Sequence, residues 1–214
     1  AAAAADENPR KLYPPAMTVP TASSSDVANM YAAMLPVPDG TGEGPTLQVP
    51  ATPDLTFSDQ CIGDDGVRAL VNHLDSRRDV TSLDLRGCHV HAAGAAALKT
   101  LLMSSGGGRQ IGSLSLEWNA LGTSDAGPRS LAAALGANVS LTSLDLRNNR
   151  IGSSGIVSLA DGLRTNSTLV TLDLRWNSAG VTGGLALEGA LADNRALLRL
   201  PLQGNRVPDE SQKR

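Results

Sequence analysis

From residue 55 onward, short stretches of strict apolar–polar alternation are followed each time by a longer stretch with helical spacing. The first apolar position is filled by Leu55, Leu83, Leu114, Leu144, Leu172 and Leu200, and two residues later come Phe57, Leu85, Leu116, Leu146, Leu174 and Leu202. A polar turn position follows, at Gln60, Cys88, Asn119, Asn149, Asn177 and Asn205. Another apolar one comes after it, at Ile62, Val90, Leu121, Ile151, Ala179 and Val207. The steps between repeats are 28, 31, 30, 28 and 28 residues, so six registers agree at four positions. A two-residue period places Leu55 and Phe57, and their equivalents, on one buried face of a short strand.

The second half of each repeat reads as helix. Leu70 and Leu74, Leu98 and Leu102, Leu131 and Leu135, Leu159 and Leu163, and Leu187 and Leu191 are each four apart, which puts both leucines of a pair on one helix face aimed at the sheet. Gly66, Gly94, Gly127, Gly155 and Gly183 are expected just before the helices, where the chain turns. No strand–turn–helix unit of this size buries its leucines alone, so neighbours must stack into a continuous core. The predicted fold is an α/β leucine-rich-repeat solenoid, a horseshoe with a parallel inner sheet, outer helices and six repeats of about 28 residues. The asparagines belong to that scaffold, each side-chain amide bonding backbone groups of the adjoining turn, with Cys88 as a structural substitute.

Two longer steps locate insertions. One falls after a helix at Ser104 to Arg109, with Gly106 to Gly108 in its middle, and the other before a helix around Thr123 to Pro128. The glycine run lacks the Lys-Ser/Thr that follows a phosphate-binding loop and does not lead from a strand into a helix, so it reads as an insertion only.

Composition changes near residue 53. Nine of the twelve prolines lie at or before Pro53, and proline removes amide donors and fixes φ. Residues 1–53 therefore read as an extended segment, and 54–214 as the repeat domain. Within the first, Val27, Met30, Tyr31, Met34 and Leu35 fall on one face of a short helix over 26–35, which Ser25 can cap and Pro36 stops. Such a helix should dock, either on the open end of the solenoid or on a partner.

A net charge of −3 gives no basic footprint for nucleic acid. No apolar run approaches the ~20 residues that span a bilayer, and the first residues lack signal-peptide order. The expectation is an intracellular, soluble protein. Cys61 and Cys88 read as reduced thiols. His73, His89 and His91 do not converge with cysteines or carboxylates at metal spacing, and no serine sits in a nucleophile elbow. Neither a catalytic site, a cofactor nor a metal is expected. Asn138-Val139-Ser140 and Asn166-Ser167-Thr168 match the glycosylation pattern, but with Asn194 these asparagines mark one helix-end position in successive repeats.

What remains is the solvent side of the strands. One row carries Asp84, Ser115, Asp145, Asp173 and Pro201, and the next Arg86, Glu117, Arg147, Arg175 and Gln203. Strands ~4.8 Å apart let Arg86, Glu117 and Arg147 form a ladder of alternating charge, with Asp145 and Asp173 beside Arg147 and Arg175. This lattice either satisfies itself or serves a partner. Trp118 and Trp176 occupy the same position in the third and fifth repeats, just before the Asn. An outward tryptophan is either an interface anchor or packed on the adjacent turn. Trp118, Trp176, Arg147, Arg175, Glu117, Asp145 and Asp173 are therefore the candidate protein-binding residues.

The run Ser113-Leu-Ser-Leu-Glu-Trp-Asn-Ala-Leu-Gly-Thr, with Leu144-Asp-Leu-Arg-Asn-Asn, Leu172-Asp-Leu-Arg-Trp-Asn and Asn194-Arg-Ala-Leu-Leu-Arg-Leu, resembles the family of leucine-rich-repeat-containing protein forty-five over roughly residues 55 to 208. That family joins such repeats to a long coiled coil in the linker that tethers centrosomes. The resemblance implies a non-catalytic scaffold of a microtubule-based assembly, at the centrosome linker, basal body or ciliary axoneme, with other proteins as partners. The repeat length is also similar to that of the GTPase-activating proteins of nuclear transport, which would make the chain a regulator of a small GTPase. Its sixth repeat reaches Pro208 without a helix, so Leu200, Leu202 and Val207 should be covered by a native continuation or by a partner.

Overall fold

The computed structural model describes residue 49 and residues 52–74, 77–104 and 111–206. The chain divides into two units between Gln48 and Val49, and the described residues belong to the second. The helix expected over 26–35, the glycines at 106–108 and Val207 lie outside the described residues.

Strands and helices alternate: β1 (Asp54–Thr56), α1 (Gly63–Leu74), β2 (Ser82–Asp84), α2 (Ala92–Met103), β3 (Ser113–Ser115), α3 (Ala126–Ala137), β4 (Ser143–Asp145), α4 (Ser153–Thr165), β5 (Thr171–Asp173) and α5 (Gly180–Asp193). The strands pair in parallel and in chain order, with Leu55, Leu83, Leu114, Leu144 and Leu172 in register across the sheet. Each strand is short because the chain turns two residues after its second apolar position. There Asp59, Gly87, Trp118, Asn148, Trp176 and Gly204 all adopt left-handed backbone, with φ from 55° to 80°. The sixth segment is not a full strand. It joins β5 through a single bridge, Thr171 to Arg199, and through amides of Leu172 and Leu174 that donate to Arg199 and Pro201 carbonyls at 3.0 and 3.2 Å. Pro201 has no amide with which to answer.

The sequence-predicted core is in place. The first apolar position of β1 to β5 and the second, from Phe57 to Leu174, are buried, as are nine of the ten paired helix leucines. Each fully buried leucine stabilises the fold by roughly 1.5–3 kcal/mol relative to exposure. The tenth, Leu191, is instead 37% exposed, and among the described residues no helix follows α5 to cover it. Val181, Leu185 and Leu198 share that end and are more exposed still.

Gly66, Gly94, Gly127, Gly155 and Gly183 do not precede the helices as expected. All five lie inside the first turns. Their role is close approach rather than turning. A Cβ on Gly94 would come within 2.6 Å of both Val90 Cγ1 and Asp64 Oδ1, and one on Gly155 within 2.7 Å of Ile151 Cγ2 and 2.9 Å of Pro128 Cγ. Absence of a side chain lets each helix start settle against its own turn and the repeat before it.

Two asparagine ladders fasten the repeats. In the first, Asn177 is representative. Its Nδ2 donates to Leu146 O (2.9 Å) and Leu174 O (3.0 Å), while its Oδ1 accepts from the amides of Asn149 (3.2 Å) and Ile151 (2.9 Å). Cys88 fills the same slot with a thiol that donates to Phe57 O at 3.0 Å. The second ladder runs along the helix ends. Asn138, Asn166 and Asn194 each donate Nδ2 to the last turn of the preceding helix, at Leu102, Leu135 and Leu163 O. Each also accepts two amides of its own turn through Oδ1. These side chains are buried. The match of Asn138 and Asn166 to the glycosylation pattern is thus a by-product of packing. The second insertion, expected around Thr123 to Pro128, begins at the end of a 3-10 turn, Leu121–Thr123, and runs into the first turn of α3.

Candidate protein-binding surface

Five charged side chains meet on the solvent side of β3 to β5. The Arg147 guanidinium grips Asp145 through Nε (3.0 and 2.9 Å) and Nη2 (2.6 Å), reaches Glu117 Oε2 through Nη2 (2.7 Å), and lies 3.7 Å from Asp173. Arg175 holds Asp173 in the same two-pronged way at 3.0 and 2.6 Å. The bonds to Asp145, and the partners beyond it, raise the Arg147 pKa further above its ordinary value against the opposing effect of burial. Burial pushes the Glu117 carboxyl up, and Arg147 pulls it partly back. Asp173 is buried rather than solvent-facing, because guanidiniums from two repeats lie over it. The expected ladder does not extend to Arg86. Its Nη2 turns to Asp59 at 2.8 Å, leaving Glu117 to Arg147. The lattice is therefore closed by internal pairs from the third repeat to the fifth.

Trp118 and Trp176 flank this lattice at the ends of their strands, 40% and 47% exposed. Both are left-handed, at φ 57° and 60°. Left-handed backbone costs an L-residue roughly 1–2 kcal/mol, least for Gly and Asn, which are what this chain places there at Gly87, Asn148 and Gly204. A large ring held in this conformation and half in water is an outlier of the kind found at binding sites. The Trp176 ring lies over Gly204, where a Cβ would come within 2.5 Å of its Cε3.

Two residues further along each turn is a position the sequence reading passed over. Arg150 and Arg206 stand there in the fourth and sixth repeats, both exposed and left-handed. Neither makes an ion pair among the described residues. Their signal was present as a second periodic row, masked because it lies outside the strand alternation.

Other chemistry is sparse. His89 is exposed on its turn. Cys61 is exposed and Cys88 buried, both as free thiols, and burial pushes the Cys88 thiol up to about 12. Among the described residues no group of His, Cys, Asp and Glu is arranged to hold a metal ion, and no helix is long and apolar enough to cross a membrane.

A family model described as Leucine Rich repeat matches residues 78–99, 137–160 and 165–187. Those segments coincide with the strand–helix units built above. The fold is a leucine-rich-repeat solenoid, and the three matched segments are repeats of that kind. Among curated relatives, Leucine-rich repeat-containing protein 45 of Gallus gallus is 42% identical over 98 residues, or 46% of this chain. The match spans 14% of that relative's length. Leucine-rich repeats generally serve as protein-interaction scaffolds.

Proposed function

We propose that the protein is a non-catalytic scaffold that holds other proteins within a microtubule-based cytoskeletal assembly, at the centrosome linker, basal body or ciliary axoneme. The repeats and the likeness to Leucine-rich repeat-containing protein 45 support the scaffold. The observation that carries the location of binding is the pair of exposed tryptophans held in left-handed turns beside the Arg147–Arg175 lattice. Aromatic rings with nearby guanidiniums are frequent anchors in interfaces. The lattice carboxylates Glu117, Asp145 and Asp173 hold Arg147 and Arg175 in fixed orientation, so a partner meets a pre-organised surface.

The test is recruitment. The tagged chain should concentrate at centrosomes, basal bodies or axonemes. Trp118→Ala with Trp176→Ala should abolish that while shifting the melting temperature little. Diffuse distribution of the unaltered chain would refute the cytoskeletal assignment. Recruitment unaffected by the double substitution would refute the surface.

A further inference from the structure

The left-handed turn position and the position two residues beyond it follow a two-repeat rhythm. The third repeat has Trp118 then Ala120, the fourth Asn148 then Arg150, the fifth Trp176 then Ser178, and the sixth Gly204 then Arg206. Wherever one position carries a ring, the other carries a small residue. The next repeat reverses the order and supplies a guanidinium. The result is two equivalent aromatic–cation units, Trp118 with Arg150 and Trp176 with Arg206, set side by side along the turn row. The first two repeats, with Asp59 and His89 at these positions, lack the aromatic and do not extend the series.

The geometry of the two units is shared. The amides of Trp118 and Trp176 donate to the equivalent residues of the next repeat, Arg147 O at 3.0 Å and Gln203 O at 2.9 Å. The Trp176 ring lies over Gly204, and the equivalent residue in the repeat after Trp118 is Asn148. Among the described residues, the charge on this row that has no ion-pair partner is positive. Arg147 and Arg175 are taken up by carboxylates that lie deeper than they do, with Glu117 and Asp173 side chains 12% exposed against 30% and 37% for the two arginines. Arg150 and Arg206 have no such carboxylate among the described residues.

We infer that this row binds an acidic amphipathic α-helix lying along it, in which an apolar side chain and, one turn later, a carboxylate recur every seven residues. The spacing argues for a helix. Adjacent repeats are ~4.8 Å apart, close to one helical turn of 5.4 Å, and two repeats at ~9.6 Å lie close to the ~10.5 Å that seven helical residues span. An apolar residue set on Trp118 thus brings a carboxylate one turn on to Arg150, the next apolar residue to Trp176 and the next carboxylate to Arg206. An extended strand repeats its side-chain face at ~6.6 or ~13 Å and misses one unit or the other. The inference rests on the proposed binding surface and adds the partner's chemistry and period.

Trp118 and Trp176 are the chain's only tryptophans, so their emission reports this row alone. The probe is an alanine-rich helical peptide with Leu every seven residues and Glu one turn after each Leu, titrated into the full chain. One comparison peptide carries Lys for Glu, and another has the same composition with the Leu interval cut to five. The expected result is a blue shift from both rings, each verified in Trp118→Phe and Trp176→Phe variants. Affinity should fall at least about tenfold for either comparison peptide, and likewise for the unaltered peptide with an Arg150→Glu, Arg206→Glu chain. Equal binding of the Lys peptide overturns the charge assignment, and equal binding of the five-residue peptide overturns the matched period. Silent tryptophans, with recruitment still lost in the double alanine variant, overturn this inference and leave the proposed surface standing. Silent tryptophans with normal recruitment overturn both.

Discussion

Replacing Asn177 by alanine tests the ladder that fixes the repeat register. Its side chain is buried, and five backbone groups bond to it. Leu174 O and Arg175 O keep second donors, Asn205 Nδ2 at 2.6 Å and the Asn148 amide at 3.1 Å. The other three, the amides of Asn149 and Ile151 and the carbonyl of Leu146, lose their side-chain partner in the interior. A buried unsatisfied group costs ~1–3 kcal/mol, and partial relaxation brings the expected total to about 3–5 kcal/mol. For a domain of this size that corresponds to a melting-point drop on the order of 10 °C. Urea unfolding monitored by circular dichroism measures it. Asn177→Cys provides the internal comparison. In the second repeat the Cys88 thiol donates to Phe57 O, and the Ile62 amide donates to Gln60 O at 2.7 Å. Cysteine at 177 keeps a donor but supplies no carbonyl acceptor, so a loss of about 2–3 kcal/mol is expected. A change under ~0.5 kcal/mol for Asn177→Ala, or a greater loss for cysteine than for alanine, would refute this account of the ladder.

Leu146→Ala should cost ~2–5 kcal/mol, because the side chain is fully buried between neighbouring strands; a surface-like response in the same unfolding assay would show the register to be wrong. Iodoacetamide at neutral pH should label Cys61 alone in the folded protein and both thiols once unfolded, since Cys88 is buried with its pKa pushed up to about 12; labelling at Cys88 in the native state would contradict its placement. Burial raises the Glu117 carboxyl, so its favourable contribution is complete below the unfolded value of ~4.3 and is lost as pH rises through the higher folded value. Glu117→Gln should therefore flatten the stability profile between the unfolded and the higher folded value, and an unchanged profile there would count against it. Leu185→Glu with Leu198→Glu should leave urea unfolding nearly unchanged, as both side chains are more than half exposed; marked destabilisation would mean that they are packed.

The fold was legible because both periods recur with the same partners in every repeat, so each strand leucine and helix leucine corroborates the others. Asn119, Asn149 and Asn177 could be assigned to turns for the same reason. Gly94 and Gly155 were misplaced because a glycine needed for close approach and one needed for left-handed backbone look alike in a sequence. Leu191 matched Leu163 in spacing, and what separates them is that, among the described residues, a helix follows α4 and none follows α5. Asn138, Asn166 and Asn194 were recognised as equivalent, but their role depends on which carbonyls the preceding helix end presents. In the surface, Arg147 and Glu117 paired as the strand spacing implied. Arg86 turned back to Asp59, a choice between two carboxylates that spacing does not decide. Arg150 and Arg206 were missed because they lie on the turn, beyond the alternation that defines inward and outward positions.

The claim that partners bind along the tryptophan row is tested most directly by site-specific photocrosslinking in cells. A photoreactive side chain is placed at Ser178, which is exposed beside Trp176, and in a parallel chain at Ala133, exposed on α3. A protein of the centrosomal or ciliary cytoskeleton should crosslink at 178 and not at 133, and that product should vanish with Trp118→Ala and Trp176→Ala. Crosslinking to such a protein only at 133, or a product at 178 that survives loss of both rings, would contradict the account.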